Sequence, residues 1–170
     1  MPEKLILVDK KDKKIGSAEK MEVHTKGALH RAFSIIIFNS KGQMLIHKRA
    51  KTKYHCGGLL TNACCSHPLV GESTEKAAHR RLTEEMGFDC KLKEVTSFIY
   101  KAEFDNGLTE NEFDHVFVGF YDGKIKPDKK EVDEFKFIDS NELKKDIKMH
   151  PEKYTPWFRI IMEKNIAFGL

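Results

Sequence analysis

The segment Thr74–Met86 has the pattern of an amphipathic helix, and it separates two groups of strand-like segments. Ser73 can cap the start of this helix, and Gly87 can end it in left-handed geometry. Strands are predicted on both sides of it, at Leu5–Val8, Ala32–Phe38, Met44–Lys48, Val95–Phe104, Glu112–Tyr121 and Glu134–Ile138. Two further helices are predicted near the end of the chain, one capped by Ser140 and one opening at Thr155–Pro156. This order predicts an α/β fold, with a mixed β-sheet sandwiched between α-helices.

The segments between the predicted elements differ in character. Two runs of charged residues, Lys10–Lys14 and Lys126–Glu131, predict solvated turns between strands. The segment Ala50–Pro68 is long and irregular, and it holds three of the four cysteines. Loops of this length inside a compact domain are usually functional, so we expect chemistry here.

Length and composition limit the class of protein. A chain of 170 residues that is 40% hydrophobic and 33% charged predicts one soluble domain over residues 1–170. The longest apolar run, Ala32–Phe38, is too short to span a bilayer, and no apolar stretch of signal-peptide length follows Met1. The net charge of +4 is too small to indicate a class of binding partner. We therefore expect a cytoplasmic protein with neither a nucleic acid nor a membrane as its partner. The cysteines lack the spacing of a disulfide framework, so we expect reduced thiols with packing, metal or catalytic roles.

The predicted central helix carries the first candidate site. Arg80-Arg81-Leu82 is followed by Glu84-Glu85 and Gly87, and Glu72 lies just before the helix. Carboxylates on a helix beside a loop can hold Mg²⁺, which takes phosphate oxygens of a substrate as its other ligands. The alternative is a surface helix with ordinary ion pairs.

The second candidate site is Cys64-Cys65-Ser66-His67-Pro68, at the end of the irregular segment. A cysteine with a histidine two residues later indicates either half of a zinc site or a nucleophile beside a base. A zinc deaminase would need a further Cys-x-x-Cys pair, which the sequence lacks. The alternative for His67 is a hydrogen-bonded loop histidine.

The third candidate site is Glu110-Asn111-Glu112, at the start of a predicted strand. Residues two apart in a strand point to the same face, so both carboxylates would enter one cavity or lie at an exposed edge. With His24, His30 and His67 they would offer three nitrogens and two carboxylates. This set suits an octahedral Mn²⁺, Mg²⁺ or Zn²⁺ better than a tetrahedral zinc, although each histidine alone reads as structural.

Taken in order, these blocks resemble a known family, the type I isopentenyl-diphosphate isomerases of the Nudix superfamily. The similarity runs from about Glu19 to Trp157, and it is most specific in the Cys-Cys-Ser-His-Pro and Glu-Asn-Glu blocks. Its other blocks are Glu19-Lys20, His24-Thr25, His30-x-Ala32-Phe33-Ser34, Lys48-Arg49-Ala50, Thr61-Asn62, Gly71-Glu72, Arg80-Arg81-Leu82, Glu84-Glu85-x-Gly87 and Pro156-Trp157. The resemblance implies a single Nudix-like domain with its core at about residues 19–165.

The resemblance also implies an activity, the interconversion of isopentenyl and dimethylallyl diphosphate in isoprenoid precursor synthesis. Glu112 and Cys65 match the family's two proton-transferring residues, on opposite faces of the double bond, and Glu112 would also bind metal. Trp157 matches the ring that stabilises the carbocation, and Tyr100 matches a further active-site residue. The partner would be a small prenyl diphosphate, and the protein a monomer or a weak homodimer.

Two metal sites are implied by the same resemblance. The diphosphate would be bound by Lys20, Arg49, Lys53 and Arg81, and Mg²⁺ would link it to Glu85 and to the carbonyl of Cys65. A second divalent ion, Mn²⁺, Mg²⁺ or Zn²⁺, would be bound by His24, His30, His67, Glu110 and Glu112.

The sequence departs from the family pattern in two places. Arg81 stands where the general Nudix box of hydrolases has a glutamate, and Ser66 replaces the leading glycine of that box. The segment His55–Leu60 replaces an aromatic-proline-glycine segment, which predicts a looser pocket wall. Two alternatives remain: a Nudix-type pyrophosphohydrolase of a nucleotide or prenyl diphosphate, and a metal-stabilised binding module without activity.

Overall fold

The computed structural model describes residues 3–164 and 166–168. The ends of the domain expected over 1–170, and the expected core limit at Asn165, lie outside these residues. The described part contains four α-helices, a short 3₁₀ helix at Pro151–Lys153 and nine strands. The helices are α1 (Lys20–Lys26), α2 (Thr74–Met86), α3 (Ser140–Met149) and α4 (Pro156–Glu163). The strands are β1 (Lys4–Val8), β2 (Lys14–Glu19), β3 (His30–Phe38), β4 (Met44–Arg49), β5 (Leu60–Thr61), β6 (Cys64–Ser66), β7 (Leu92–Glu103), β8 (Thr109–Phe120) and β9 (Val132–Ile138).

Strand β3 is the centre of one mixed sheet. It pairs in parallel with β8 along its whole length, from His30 opposite Glu112 to Phe38 opposite Phe120. Its other partners, β1, β4 and β6, are antiparallel to it. Strand β7 extends the sheet beyond β8, and β5 and β9 both pair with β4. Because β6 and β8 pair with the same residues of β3, they lie on its two opposite edges.

The two faces of β3 pack into two separate parts of the core. Ile35 and Ile37 pack with the apolar side of α2, whereas Ile36 and Phe38 pack with residues of α3 and α4. Alternate side chains of a strand point to opposite faces, so a strand buried on both sides reads as a continuous apolar run. The sheet is therefore covered by helices on both faces, and the predicted fold class is confirmed.

Helix α2 begins and ends where the sequence predicts. The hydroxyl of Ser73 accepts a hydrogen bond from the backbone N–H of Lys76, at 3.3 Å. Gly87 ends the helix with φ +74°, and a Cβ atom there would lie 2.2 Å from the carbonyl oxygen of Lys126. Only glycine fits both constraints, so this position fixes the exit from the helix.

The prediction for the start of α3 is wrong by one residue. Asp139 caps this helix, because its carboxylate accepts from the backbone N–H groups of Asn141 and Glu142. Ser140 is the first residue of the helix. The sequence pattern predicts neither β2 nor α1, because β2 is largely exposed and α1 is only seven residues long. The segment expected to be irregular, Ala50–Pro68, also contains the short strands β5 and β6. No helix of the described residues is long and apolar enough to cross a membrane.

Candidate active site

Five buried side chains from distant parts of the chain come together at one point. They are His24 of α1, His30 of β3, His67 after β6, and Glu110 and Glu112 of β8. One possible ligand atom of each lies within 4.8 Å of those of all the others. The sheet explains much of this convergence, because Glu110 and Glu112 share one face of β8 and His30 lies directly opposite Glu112.

Backbone carbonyls orient two of the three imidazole rings. Nδ1 of His24 lies 2.7 Å from the carbonyl oxygen of Lys20, and Nδ1 of His30 lies 2.9 Å from that of Ala28. A hydrogen bond at Nδ1 fixes the tautomer and leaves Nε2 as the coordinating atom. The Nε2 atoms of His24 and His30 both face the carboxylates, at 3.2 and 3.9 Å from Oε2 of Glu110.

Several polar atoms in this cluster are buried without a well-formed hydrogen bond. Nε2 of His24 and Oε2 of Glu110 both lack a partner of good geometry among the described residues, although they are close to each other. Nε2 of His30 lies only 3.2 Å from Nε2 of His67, which in turn lies 2.8 Å from Oε1 of Glu112. Unsatisfied buried polar atoms are costly, and nitrogen and carboxylate ligands suit a divalent cation. The residues present therefore fit a divalent metal ion.

The histidines and carboxylates also adjust each other's protonation. Burial would raise the pKa of Glu110, but its contacts with His24 and His55 hold it well below its ordinary value. Burial and the neighbouring Glu110 act to raise the pKa of Glu112, and the contacts with His30 and His67 lower it overall. Burial lowers the pKa of His67 to about 4. At neutral pH the cluster thus offers carboxylates and a neutral His67, the forms that bind metal.

A pocket opens beside this cluster, and the structure brings all six predicted substrate-binding side chains to its walls. These are Lys20, Arg49, Lys53, Arg81, Tyr100 and Trp157, and Cys65, Glu85, Glu110 and Glu112 line the same pocket. His24 and His30 lie behind the wall and are fully buried. The pocket therefore brings four cationic side chains to the same walls as three of the five clustered ligands, His67, Glu110 and Glu112.

The four cations of the pocket differ in their partners. Lys20 pairs with Glu3, Lys53 with Glu131, and Arg81 with both Glu84 and Glu85. Arg49 is 8% exposed and has no carboxylate partner among the residues that the structure describes. Its guanidinium lies 5.3 Å from the ring centre of Trp157, and its Nε is buried without a hydrogen bond. A buried guanidinium without a counter-charge favours an anion in the pocket.

Cys65 and Glu112 reach the pocket from the two strands that flank β3. The sulfur of Cys65 lies 3.0 Å from Oδ1 of Asn62, to which it donates, and 3.5 Å from the hydroxyl of Ser34. Burial, followed by the charge of Asp114, raises the pKa of the Cys65 thiol to about 12. On the other side, Tyr100 donates a hydrogen bond of 2.5 Å to Oε2 of Glu112. The pocket thus holds a protonated sulfur and an ionised carboxylate.

Three residues that line the pocket, Tyr54, His55 and Glu131, were not found from the sequence. Glu131, at the end of the predicted solvated turn Lys126–Glu131, is only partly exposed and lines the pocket, where it contacts Lys53 and Arg81. His55 is buried, and its Nε2 lies 2.6 Å from Oε1 of Glu110. The sequence predicts a looser pocket wall at His55–Leu60. In the structure, the buried ring of His55 occupies the start of this segment. A histidine in a long functional loop was the one available signal.

Comparisons with known proteins place the chain in a family. A NUDIX domain model matches residues 28–158. By structure, the chain is similar to a Deinococcus radiodurans protein (TM-score 0.80, 17% identity, 95% of this chain and 98% of that one). It is also similar to a MutT protein from Methanosarcina mazei Go1 (TM-score 0.66, 17% identity, 80% and 91%). At such identities the likeness shows the fold alone, which is that of the Nudix class.

The sequence relatives narrow the class. The chain is 54% identical to isopentenyl-diphosphate Delta-isomerase 2 of Photorhabdus laumondii, over 95% of this chain and 92% of the relative. It is 50% identical to isopentenyl-diphosphate Delta-isomerase of Serratia proteamaculans, over 96% and 91%. Within the Nudix superfamily, the chain therefore belongs to the isopentenyl-diphosphate Delta-isomerase family, as its sequence blocks predict.

Proposed function

We propose that the protein interconverts isopentenyl diphosphate and dimethylallyl diphosphate. The relatives that share about half of its residues carry this activity in their names. The observation on the molecule itself that supports the proposal is that Cys65 and Glu112, from the strands on either side of β3, line one pocket. Neither a simple binding module nor a hydrolase needs a thiol opposite a carboxylate of a buried metal cluster.

The reaction moves one proton onto a carbon–carbon double bond and removes another from a neighbouring carbon. One group must donate and another must accept, and the roles are exchanged when the reaction runs backwards. In the pocket as described, the sulfur of Cys65 carries a proton and Glu112 does not, so the pair shares one proton that can be exchanged through the substrate. After each turnover the proton must return to its first position.

Glu112 is held by two different partners. Its Oε1 faces His67 and its Oε2 accepts from Tyr100, so both oxygens are fixed in direction. A divalent ion held by the histidine and glutamate cluster would supply a positive charge that makes a proton on the Glu112 carboxyl easier to donate. Tyr100 keeps the carboxylate aimed at the pocket, since a bond of 2.5 Å leaves it little freedom.

The intermediate of such a proton transfer is a tertiary carbocation, which water would destroy. Trp157 offers its ring to the pocket and is itself only 3% exposed. Its Nε1 donates to the hydroxyl of Thr61 at 3.1 Å, which fixes the plane of the ring. The face of an indole ring attracts a cation by about 2 kcal/mol where water is excluded.

The diphosphate binds, in this proposal, at the end of the pocket where Arg49, Lys53 and Arg81 lie. Of these cations, Arg49 should gain most from binding an anion, because no carboxylate of the described residues neutralises its charge. We further propose that Mg²⁺ accompanies the diphosphate and is bound by Glu85 and by the carbonyl of Cys65. Burial raises the pKa of Glu85 above its ordinary value although Arg81 opposes this, and a cation beside it would reverse the rise.

The solvent isotope distinguishes isomerisation from hydrolysis. Isopentenyl diphosphate is incubated with the protein in D₂O, with Mg²⁺ and Mn²⁺ present, and followed by proton and deuterium NMR. We expect deuterium in both isomers and no free phosphate or pyrophosphate. Unlabelled substrate, with phosphate or pyrophosphate released from a nucleotide or prenyl diphosphate, would assign the chain to the hydrolases instead. Arg81, which replaces a carboxylate of the hydrolase box, supports the first result.

A further inference from the structure

We infer that His55 is a positioning residue for Glu110, which it holds so that one carboxylate oxygen is reserved for the metal ion. This inference rests on the proposed metal centre and goes beyond its five ligands. His55 lies in the segment in which the sequence departs from the family pattern. The six predicted substrate-binding residues and the five predicted ligands leave it without a role.

The two oxygens of Glu110 face different partners. Oε1 lies 2.6 Å from Nε2 of His55, whereas Oε2 lies 3.2 Å from Nε2 of His24. Oε2 is also the oxygen nearer to the other ligands, at 3.9 Å from Nε2 of His30. His55 thus contacts the oxygen of Glu110 that His24 does not, by close approach rather than by a well-aligned hydrogen bond, and Oε2 is left as the atom that binds the ion.

His55 itself is not one of the clustered ligands. The group whose ligand atoms all lie within 4.8 Å of one another consists of His24, His30, His67, Glu110 and Glu112. Carboxylates that bind a metal are commonly hydrogen-bonded in turn by a neighbour that orients them. The position of His55 on the far oxygen is that of such a neighbour.

The ring of His55 is held by aromatic contacts, so it can act as a rigid support. The ring of Phe104 lies parallel to it, with centres 5.0 Å apart and an angle of 7°. Tyr54 and Trp157 meet it edge to face, at 4.3 and 5.8 Å. His55 is 7% exposed, so few other orientations are open to it. Through this packing His55 joins the metal cluster to the wall that carries Trp157.

The test is the affinity of the metal-free protein for Mn²⁺, measured by electron paramagnetic resonance of the unbound ion. His55→Phe keeps an aromatic ring but removes the nitrogen that lies 2.6 Å from Glu110, and we expect Mn²⁺ affinity to fall about 10–100-fold. His55→Gln places an amide N–H near the position of Nε2, and we expect it to restore affinity to within about five-fold of the original. If the His55→Phe variant does not fold, His55→Leu is used instead, and the same loss of Mn²⁺ affinity is expected.

A second histidine provides the matched control. His79 of α2 lies 2.6 Å from Asp89, as close as His55 is to Glu110, but it is partly exposed and does not line the pocket. His79→Phe should leave Mn²⁺ affinity unchanged. Equal binding by the original protein and His55→Phe, or an equal loss in the phenylalanine and glutamine variants, would overturn the role of His55. Failure of the original protein to bind Mn²⁺ would overturn the metal centre itself, so the two proposals fail separately.

Discussion

The two ends of the pocket carry similar numbers of charged groups but satisfy them differently. At the metal end, formed by His24, His30, His67, Glu110 and Glu112, three buried polar atoms lack a well-formed hydrogen bond among the described residues: Nε2 of His24, Nδ1 of His67 and Oε2 of Glu110. At the ion-pair end, formed by Lys53, Arg81, Glu85 and Glu131, cations and carboxylates neutralise each other directly.

This difference indicates two kinds of binding. A cluster that lacks partners gains free energy whenever an ion enters it, so the metal end is suited to a resident ion. Ion pairs must be broken before their members can contact a ligand, so the ion-pair end is suited to a ligand that arrives and leaves at each turnover. Substitutions at the two ends should therefore separate turnover, metal binding and substrate binding.

The largest effect is expected where the metal end meets the pocket. Glu112→Gln removes the proton-transferring carboxylate, and Cys65→Ala removes its counterpart. Each should reduce turnover at least 1000-fold, because neither proton transfer has a substitute. The measurement is the rate of dimethylallyl diphosphate formation, with circular dichroism to show that the fold is intact. Turnover within ten-fold of the original in either variant contradicts the assignment.

The increase in stability on metal binding should depend on residues of the metal end and not on those of the ion-pair end. Mn²⁺ at 100 times its dissociation constant should stabilise the metal-free protein by about 2.7 kcal/mol, or raise its melting temperature by about 5–10 °C. His24→Ala should abolish this rise, and Arg81→Ala at the ion-pair end should leave it in place. If Arg81→Ala abolished the rise in melting temperature and His24→Ala kept it, the resident ion would have to bind at the ion-pair end instead.

Arg49, the pocket cation without a carboxylate partner among the described residues, should affect substrate binding. Arg49→Gln should raise the KM for isopentenyl diphosphate about 10–100-fold, since a hydrogen bond to a charged group contributes about 1.5–3 kcal/mol. Steady-state kinetics and inhibition by inorganic pyrophosphate measure the effect. Arg159→Gln is the control, because Arg159 does not line the pocket. An unchanged KM in Arg49→Gln would place the diphosphate elsewhere.

A buried histidine that does not line the pocket should determine part of the pH dependence of stability. Burial lowers the pKa of His47 from 6.5 to about 3. As the pH falls, the unfolded chain takes up this proton first, so His47 should remove about 2 kcal/mol of stability between pH 7 and pH 5. His47→Gln should be less stable at pH 7 but lose correspondingly less on acidification. Urea unfolding of the metal-free protein at both pH values measures the difference.

The smallest effect is expected at Glu131, within the ion-pair end. Glu131→Gln leaves Lys53 and Arg81 with one competitor fewer, so the KM for isopentenyl diphosphate should fall about two- to five-fold. A rise in KM would show instead that Glu131 helps to bind the ion that accompanies the diphosphate. Glu134→Gln, on the exposed side of β9, is a suitable control.

The fold was largely predictable because its strongest elements have clear local patterns. The apolar run of β3 and the capped, amphipathic α2 are recognisable in the sequence, and α2 has the predicted ends, Thr74 and Met86. Strand β2 and helix α1 were missed because their stability comes from pairing and packing with β1 and β8, which local sequence does not encode.

The site was predictable only in part, for a similar reason. Glu110 and Glu112 share a face of one strand, so their direction follows from strand geometry alone. Their contact with His24 depends on helix α1, which the sequence pattern did not predict. This contact was predicted only from the resemblance to a known family. His55 and Glu131 lie in a loop and in a charged turn, where neither periodicity nor spacing indicates which way a side chain points.

The five clustered ligands also set an order of events during synthesis. His24 and His30 leave the ribosome about 80 residues before Glu110 and Glu112, a delay of roughly 4–16 seconds at ordinary rates of translation. Strand β3 is made without its parallel partner β8 during this time. The five ligands can therefore meet around an ion only after about two-thirds of the chain has been made.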